Sequence, residues 1–294
     1  MISNKSWNIQ STDFATQTEN PLRKIWESQK VTPNPRKEVI TLQIGDPTVF
    51  GNFPVANESV DAIKRALDVD NFGYYPSAGM ESARQAVAEY FTENSQELVT
   101  ANDVILTSGC SMALETCFRA LANPGDNILI PRPCWNYTTW LSGCKIEARS
   151  YNLDPKRNWD VDLKHMESQI NEQTKAILIN SPGNPCGNVF SASHILNILE
   201  IAERFRIPII ADEIYEQFAF PGVKYQSICS LSKNVPILTC GGLSKRFLMP
   251  GIRMGWVVIN DRNNSFRSIR QVCHCVCLKF EELNDKVFVY LGFK

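Results

Sequence analysis

From Val39 onward the chain alternates short apolar runs with longer stretches whose apolar residues recur at helical spacing. The runs predict strands at Val104–Thr107, Asn127–Ile130, Ile146–Tyr151, Lys175–Asn180, Pro208–Ala211, Ile237–Cys240 and Met254–Ile259. Between or before them, helices are expected at Ser59–Asp68, Met80–Asn94, Ser111–Ala122, Asp162–Gln169 and Ser191–Phe205. Strands alternating with helices specify an α/β fold, a mainly parallel sheet flanked by helices on both faces. In such a sheet the ligand site lies beyond the carboxyl ends of the strands. Residues 1–20, rich in Ser, Thr, Asn and Gln, are expected to form a poorly ordered leader. Past Asp261 the rhythm stops. The expected divisions are a leader and arm (1–38), a main domain (39–262) and a divergent tail (263–294).

Composition narrows the classes. The 294 residues are 44% hydrophobic, enough for one large core or two smaller ones. With 30 basic and 31 acidic side chains spread along the sequence, the net charge is -1, so no basic face is offered to nucleic acid or anionic lipid. No window reaches the roughly 18 apolar residues of a membrane span, and the leader has neither a secretory apolar stretch nor the arginines of a transit peptide. The expectation is a soluble, cytoplasmic protein. Ten cysteines, seven of them scattered singly, fit reduced thiols better than a disulfide framework. The cluster Cys273-His-Cys-Val-Cys277 lacks the CxxC pairing of structural zinc sites, and no metal is expected.

Four stretches carry candidate chemistry. Thr107-Ser108-Gly109-Cys110-Ser111 joins a strand to a helix, so its free amides offer a cup for an anion, unless Ser111 merely caps the helix. Ser181-Pro-Gly-Asn184-Pro-Cys-Gly187 holds Asn184 at a strand end, where an amide can donate to a ring oxygen. Asp212 ends an apolar strand and asks for a cation, unless it caps a short helix through Tyr215. Cys240-Gly-Gly-Leu-Ser-Lys245-Arg246 puts a lysine after a strand, with Arg253 following. In an apolar cleft burial favours a lysine's neutral, nucleophilic amine, whereas on a solvated loop Lys245 and Arg246 are ordinary charges. In chain order the strand ends thus supply an anion cup, an aromatic (Trp135), an Asn, an Asp with a Tyr, then a Lys and an Arg. That set suits a phosphorylated pyridine aldehyde. Neither a GxGxxG turn nor a Walker loop is present to favour a nucleotide.

The runs IGDPTVFGN, TSGCSMALE, PRPCWNY, SPGNPCGNVFS, IIADEIYEQ and CGGLSKRFLMPGIRMGW resemble those of the class I/II pyridoxal-phosphate-dependent aminotransferases, in particular the tyrosine aminotransferase group, from about Val39 to Arg262. The resemblance implies a fold type I large domain and pyridoxal 5'-phosphate as cofactor. Lys245 would form the Schiff base and shuttle the substrate proton. Asp212 would pair with the ring nitrogen, Asn184 and Tyr215 would bond the phenolic oxygen, and Trp135 would stack on the ring. Ser108, Gly109, Cys110 and Arg253 would hold the phosphate with Tyr74 of a second subunit, and Gly45 would lie against the substrate carboxylate. The implied partners are an amino acid, aromatic in this group, a 2-oxo acid such as 2-oxoglutarate, and a second copy of the chain. The smaller C-terminal domain of the family, with its carboxylate-clamping arginine, is expected to be largely missing, as in a truncated, catalytically weak isoform or an incomplete gene model. A lyase of the same fold is the alternative activity.

Overall fold

The computed structural model describes residues 7, 9–18, 20–29, 32–40, 45–48, 51, 53–67, 73–95 and 98–270. The Cys273–Cys277 cluster lies outside them.

The strands are β1 (Val104–Thr107), β2 (Asn127–Arg132), β3 (Glu147–Asp154), β4 (Asp160–Val161), β5 (Thr174–Asn180), β6 (Ile209–Asp212), β7 (Ile237–Gly242) and β8 (Gly255–Asn260). The helices are α1 (Asp13–Gln17), α2 (Pro21–Ser28), α3 (Asn57–Leu67), α4 (Glu81–Ser95), α5 (Cys110–Leu121), α6 (Thr138–Gly143), α7 (Leu163–Ser168), α8 (Ala192–Phe205) and α9 (Leu243–Arg246). One sheet runs in the order β1-β8-β7-β6-β5-β2-β3-β4. The pairs from β7 through β6, β5 and β2 to β3 are parallel, whereas β8 is antiparallel to both β1 and β7.

Side chains alternate across the pleat, so each central strand feeds two cores. Ile128, Ile130, Leu178, Ile210, Leu238 and Val257 pack under α5 and α6. Leu129, Ile177, Ile179, Ile209, Ala211 and Ile237 pack on the opposite face under α7 and α8. Each such large side chain, wholly buried, stabilises the fold by roughly 1.5–3 kcal/mol. Leu106, Trp256 and Val258 meet α4 in a third cluster.

Seven of the eight strands and the longer helices lie where the sequence predicts them, within a few residues; β4 is not predicted. The leader differs. Asp13–Gln17 is helical, with the Thr12 hydroxyl accepting from the Ala15 amide at 3.2 Å. An ion pair from Lys145 to Asp13 (2.8 Å) and the Arg119 guanidinium over the Phe14 ring (5.0 Å) dock it near α6. These long-range contacts have no counterpart in local composition.

Register fixes the site. Asn180, Asp212 and Cys240 are paired neighbours across β5, β6 and β7. Thr107, Gly255 and Gly242 are neighbours across β1, β8 and β7. All the motif loops therefore leave the same edge.

Candidate functional site

The anion cup begins where β1 ends. Gly109 takes φ +83°, a left-handed value that favours glycine, and serves as N-cap of α5, so Ser111 is a residue of the first turn and not the cap. The exposed Arg253 guanidinium lies against Gly109. Its Nη1 donates to the Pro250 carbonyl (2.8 Å) and its Nη2 to the Ser108 carbonyl (3.3 Å). A Cβ on Gly255 would stand 2.5 Å from both the Cys110 nitrogen and the Gly109 carbonyl carbon, and one on Gly242 2.7 Å from the Met254 carbonyl oxygen. Glycine at these positions lets β7 and β8 approach the first turn of α5. The result is a cup of backbone amides with one guanidinium on its rim.

Beside it, Asp212 is 3% exposed. No helix starts there. One carboxylate oxygen accepts from the Tyr137 hydroxyl (2.7 Å), the other from the Ile214 amide (3.3 Å) and the Cys110 thiol (3.6 Å). Burial raises its pKa, held back by those three donors. Burial and the nearby carboxylate drive Tyr137 and Cys110 well above their usual values, which keeps both protonated as donors. A carboxylate so desolvated gains most from a cation.

The Asn180 side chain donates to the Asp212 carbonyl (2.9 Å) and accepts the Asn184 amide (2.8 Å), tying the Pro/Gly loop to β6. The Asn184 side chain then donates to the Tyr215 hydroxyl at 3.2 Å. The Lys245 amine stands 5.7 Å from the centre of the Tyr215 ring. Asp46 is held below its usual pKa, mainly by hydrogen bonds from Thr48 and to a lesser degree by the charge of Lys245. Trp135 packs on Trp140 (5.0 Å between centroids) and against Tyr137 (5.7 Å).

The profile of the aminotransferase class I and II family matches residues 37–277, beyond Arg262 where the motif resemblance stops. The chain belongs to that family. It is 51% identical over 262 residues to tyrosine aminotransferase of Mus musculus, covering 88% of this chain and 58% of that protein. It is 35% identical over 239 residues to an S-alkyl-thiohydroximate lyase of Arabidopsis thaliana, covering 80% of this chain and 51% of the lyase. Among solved structures, tyrosine aminotransferase from Leishmania infantum superposes with a TM-score of 0.91 at 30% identity, covering 97% of this chain and 72% of that one. The sheet is therefore that of the fold type I aminotransferases.

Within this aminotransferase scaffold, Ser108, Gly109, Cys110, Asn184, Asp212, Tyr215, Lys245 and Arg253 all lie at one edge of the sheet. Trp135 follows β2 on the same side. Tyr74 is 98% exposed. Sequence reasoning missed Tyr137, Asn180 and Gly255. The first two look like ordinary strand-end or loop residues. Gly255, a glycine opening an apolar strand, was a usable signal of close backbone approach.

Arg246, half-buried, is no solvated loop residue. Its Nη1 lies 3.6 Å from a Glu216 carboxylate oxygen, and its guanidinium carbon 4.3 Å over the Tyr90 ring. Burial and neighbouring Glu213 lift the Glu216 carboxyl to about 7, against the pull of Arg246. Among the described residues no group of three or more potential ligands is placed to hold a metal, and no helix is long and apolar enough to cross a membrane.

Proposed function

We propose that this chain binds pyridoxal 5'-phosphate at the carboxyl edge of its sheet and transfers an amino group from an aromatic, tyrosine-like amino acid to a 2-oxo acid such as 2-oxoglutarate. The observation that carries the reading is the buried Asp212 carboxylate, set between an amide cup and a lysine turn and presented where a protonated ring nitrogen supplies the cation that burial demands. The donor set fits the group. Ser108, Gly109, Cys110 and Arg253 suit a phosphate. The Asn184 amide and Tyr215 hydroxyl suit a phenolic oxygen, and Trp135 suits a ring face.

When bound, the cofactor supplies an electron sink for the pair released at the amino acid's α-carbon. Asp212 keeps the ring nitrogen protonated. Lys245 holds the cofactor covalently and moves the proton at the substrate's α-carbon. Gly45 leaves room for the substrate carboxylate. The outward-facing Tyr74 supports a homodimer in which it completes the partner's phosphate site. The seven free cysteines among the described residues support a reducing compartment, and we place the protein in the cytoplasm.

Lys245→Ala tests the reading. Parent protein incubated with the cofactor develops a visible band, which borohydride bleaches while fixing the cofactor covalently to the chain, and the variant shows neither. A folded parent without that band rejects the proposal. The likeness to a thiohydroximate lyase favours a second reading, cleavage at the β-carbon. Keto-acid-dependent return of the aldehyde form of the cofactor separates transfer from cleavage.

A further inference from the structure

Helix α9 is a single turn of four residues and cannot hold its own geometry in water. What aims Lys245 must come from whatever the turn is packed on. Leu243 is fully buried and anchors its start. At its other end, consecutive side chains diverge by about 100° around a helix, so Lys245 and Arg246 face different ways. Lys245 stands over Tyr215, and Arg246 reaches Glu216, the next residue of the same loop. Two neighbouring residues of one loop thus meet two neighbouring residues of another. The ion-paired side chains are only 17% and 9% exposed. Tyr90 of α4 backs them, its ring under the guanidinium and its hydroxyl bonded to Glu216 while accepting from the Gln217 amide at 2.7 Å.

Resting on the cofactor reading above, we propose that Arg246 and Glu216 are positioning residues, a clip across Tyr90 that fixes the distance and direction from the Lys245 amine to the cofactor's aldehyde carbon. The clip joins three elements, α9, the loop that carries Tyr215, and α4, so that Lys245 and Tyr215 move as one body. A planar guanidinium is required, because a lysine in its place keeps the charge but loses the face-on stack.

The test uses the full chain, with pyridoxal 5'-phosphate and borohydride as probes. The rate of appearance and the wavelength of the visible band before reduction, and the cofactor left on the chain after borohydride, are compared for parent, Glu216→Gln, Arg246→Gln and the double variant, with far-ultraviolet dichroism as the folding check. Each single change is expected to slow capture about tenfold and shift the band, and the double to be no slower than the worse single, because both break the same link. Tyr90→Phe, which keeps the stack, is expected to slow capture less than fivefold. Singles within twofold of the parent, or effects that multiply in the double, overturn the clip. If both singles lose their folded signal, Arg246→Lys decides: tenfold slower capture in folded protein supports the clip, and parent-like capture overturns it. A parent that forms no band removes the cofactor reading and the clip together. A parent that forms it while the variants match it removes the clip alone.

Discussion

The two halves of the site are built from opposite materials. The cup at the β1–α5 junction is backbone: the turn at Gly109, amides at the start of α5, and glycines at 242 and 255 that allow β7 and β8 to crowd against it. The wall facing it is side chain: Tyr137, Cys110, Asn180, Asn184 and Tyr215 arranged around a carboxylate that water does not reach. A backbone cup tolerates almost any neighbouring residue type but no added atom. A side-chain wall tolerates volume better than the loss of a donor, since a buried polar group without its partner bears its full desolvation cost.

Gly255→Ala is the severest way to break this contrast. The new methyl meets backbone on both sides, where nothing flexible can yield, and we expect about 3 kcal/mol of lost stability together with loss of cofactor capture. A variant with the parent's urea midpoint rejects the close-approach argument. Next is Glu216, behind the wall. Its pKa rises on folding from 4.5 to about 7, so the folded chain holds it protonated below about pH 7 and the ion pair with Arg246 is complete only above it. Its contribution is therefore complete below about pH 4.5 and gone above about pH 7, a difference of about 3 kcal/mol. The cofactor-free parent is expected to lose stability as pH rises through that window, and Glu216→Gln to flatten the fall. Parallel curves refute this assignment. The mildest change is Tyr137→Phe, which removes one hydroxyl and leaves the ring in place. We expect a loss of about 2 kcal/mol in urea denaturation and weaker retention of the cofactor. No change in either removes Tyr137 from the wall.

The elements that repeat were legible in the sequence. Short apolar runs located the central strands, and Gly/Pro-punctuated loops marked the candidate residues at their ends. What escaped has physical causes. An antiparallel strand has the same side-chain period as a parallel one, so the reversed direction of β8 left no trace in its residues. Helix α6 is short and starts with two β-branched threonines, which weakens the helical signal. Tyr137 carries no local mark because its partner, Asp212, is distant in sequence and adjacent only after the sheet forms. Arg246 read as one more charge beside Lys245. Only the fold reveals that an aromatic ring and an acid enclose it.

The placement of β8 has a consequence for how the protein is made. Among the described residues, β8 is the only strand beside β1, and it separates β1 from β7. A ribosome that has released everything through Gly242 has therefore delivered β1 still without a strand partner and β7 with one edge unpaired. Residues 255–260 must then emerge and insert between β1 and β7 to complete the sheet. Cofactor capture by a nascent chain is thus a clock for that insertion. Stalled chains ending before residue 255 should stay colourless in pyridoxal 5'-phosphate and be prone to strand-edge aggregation.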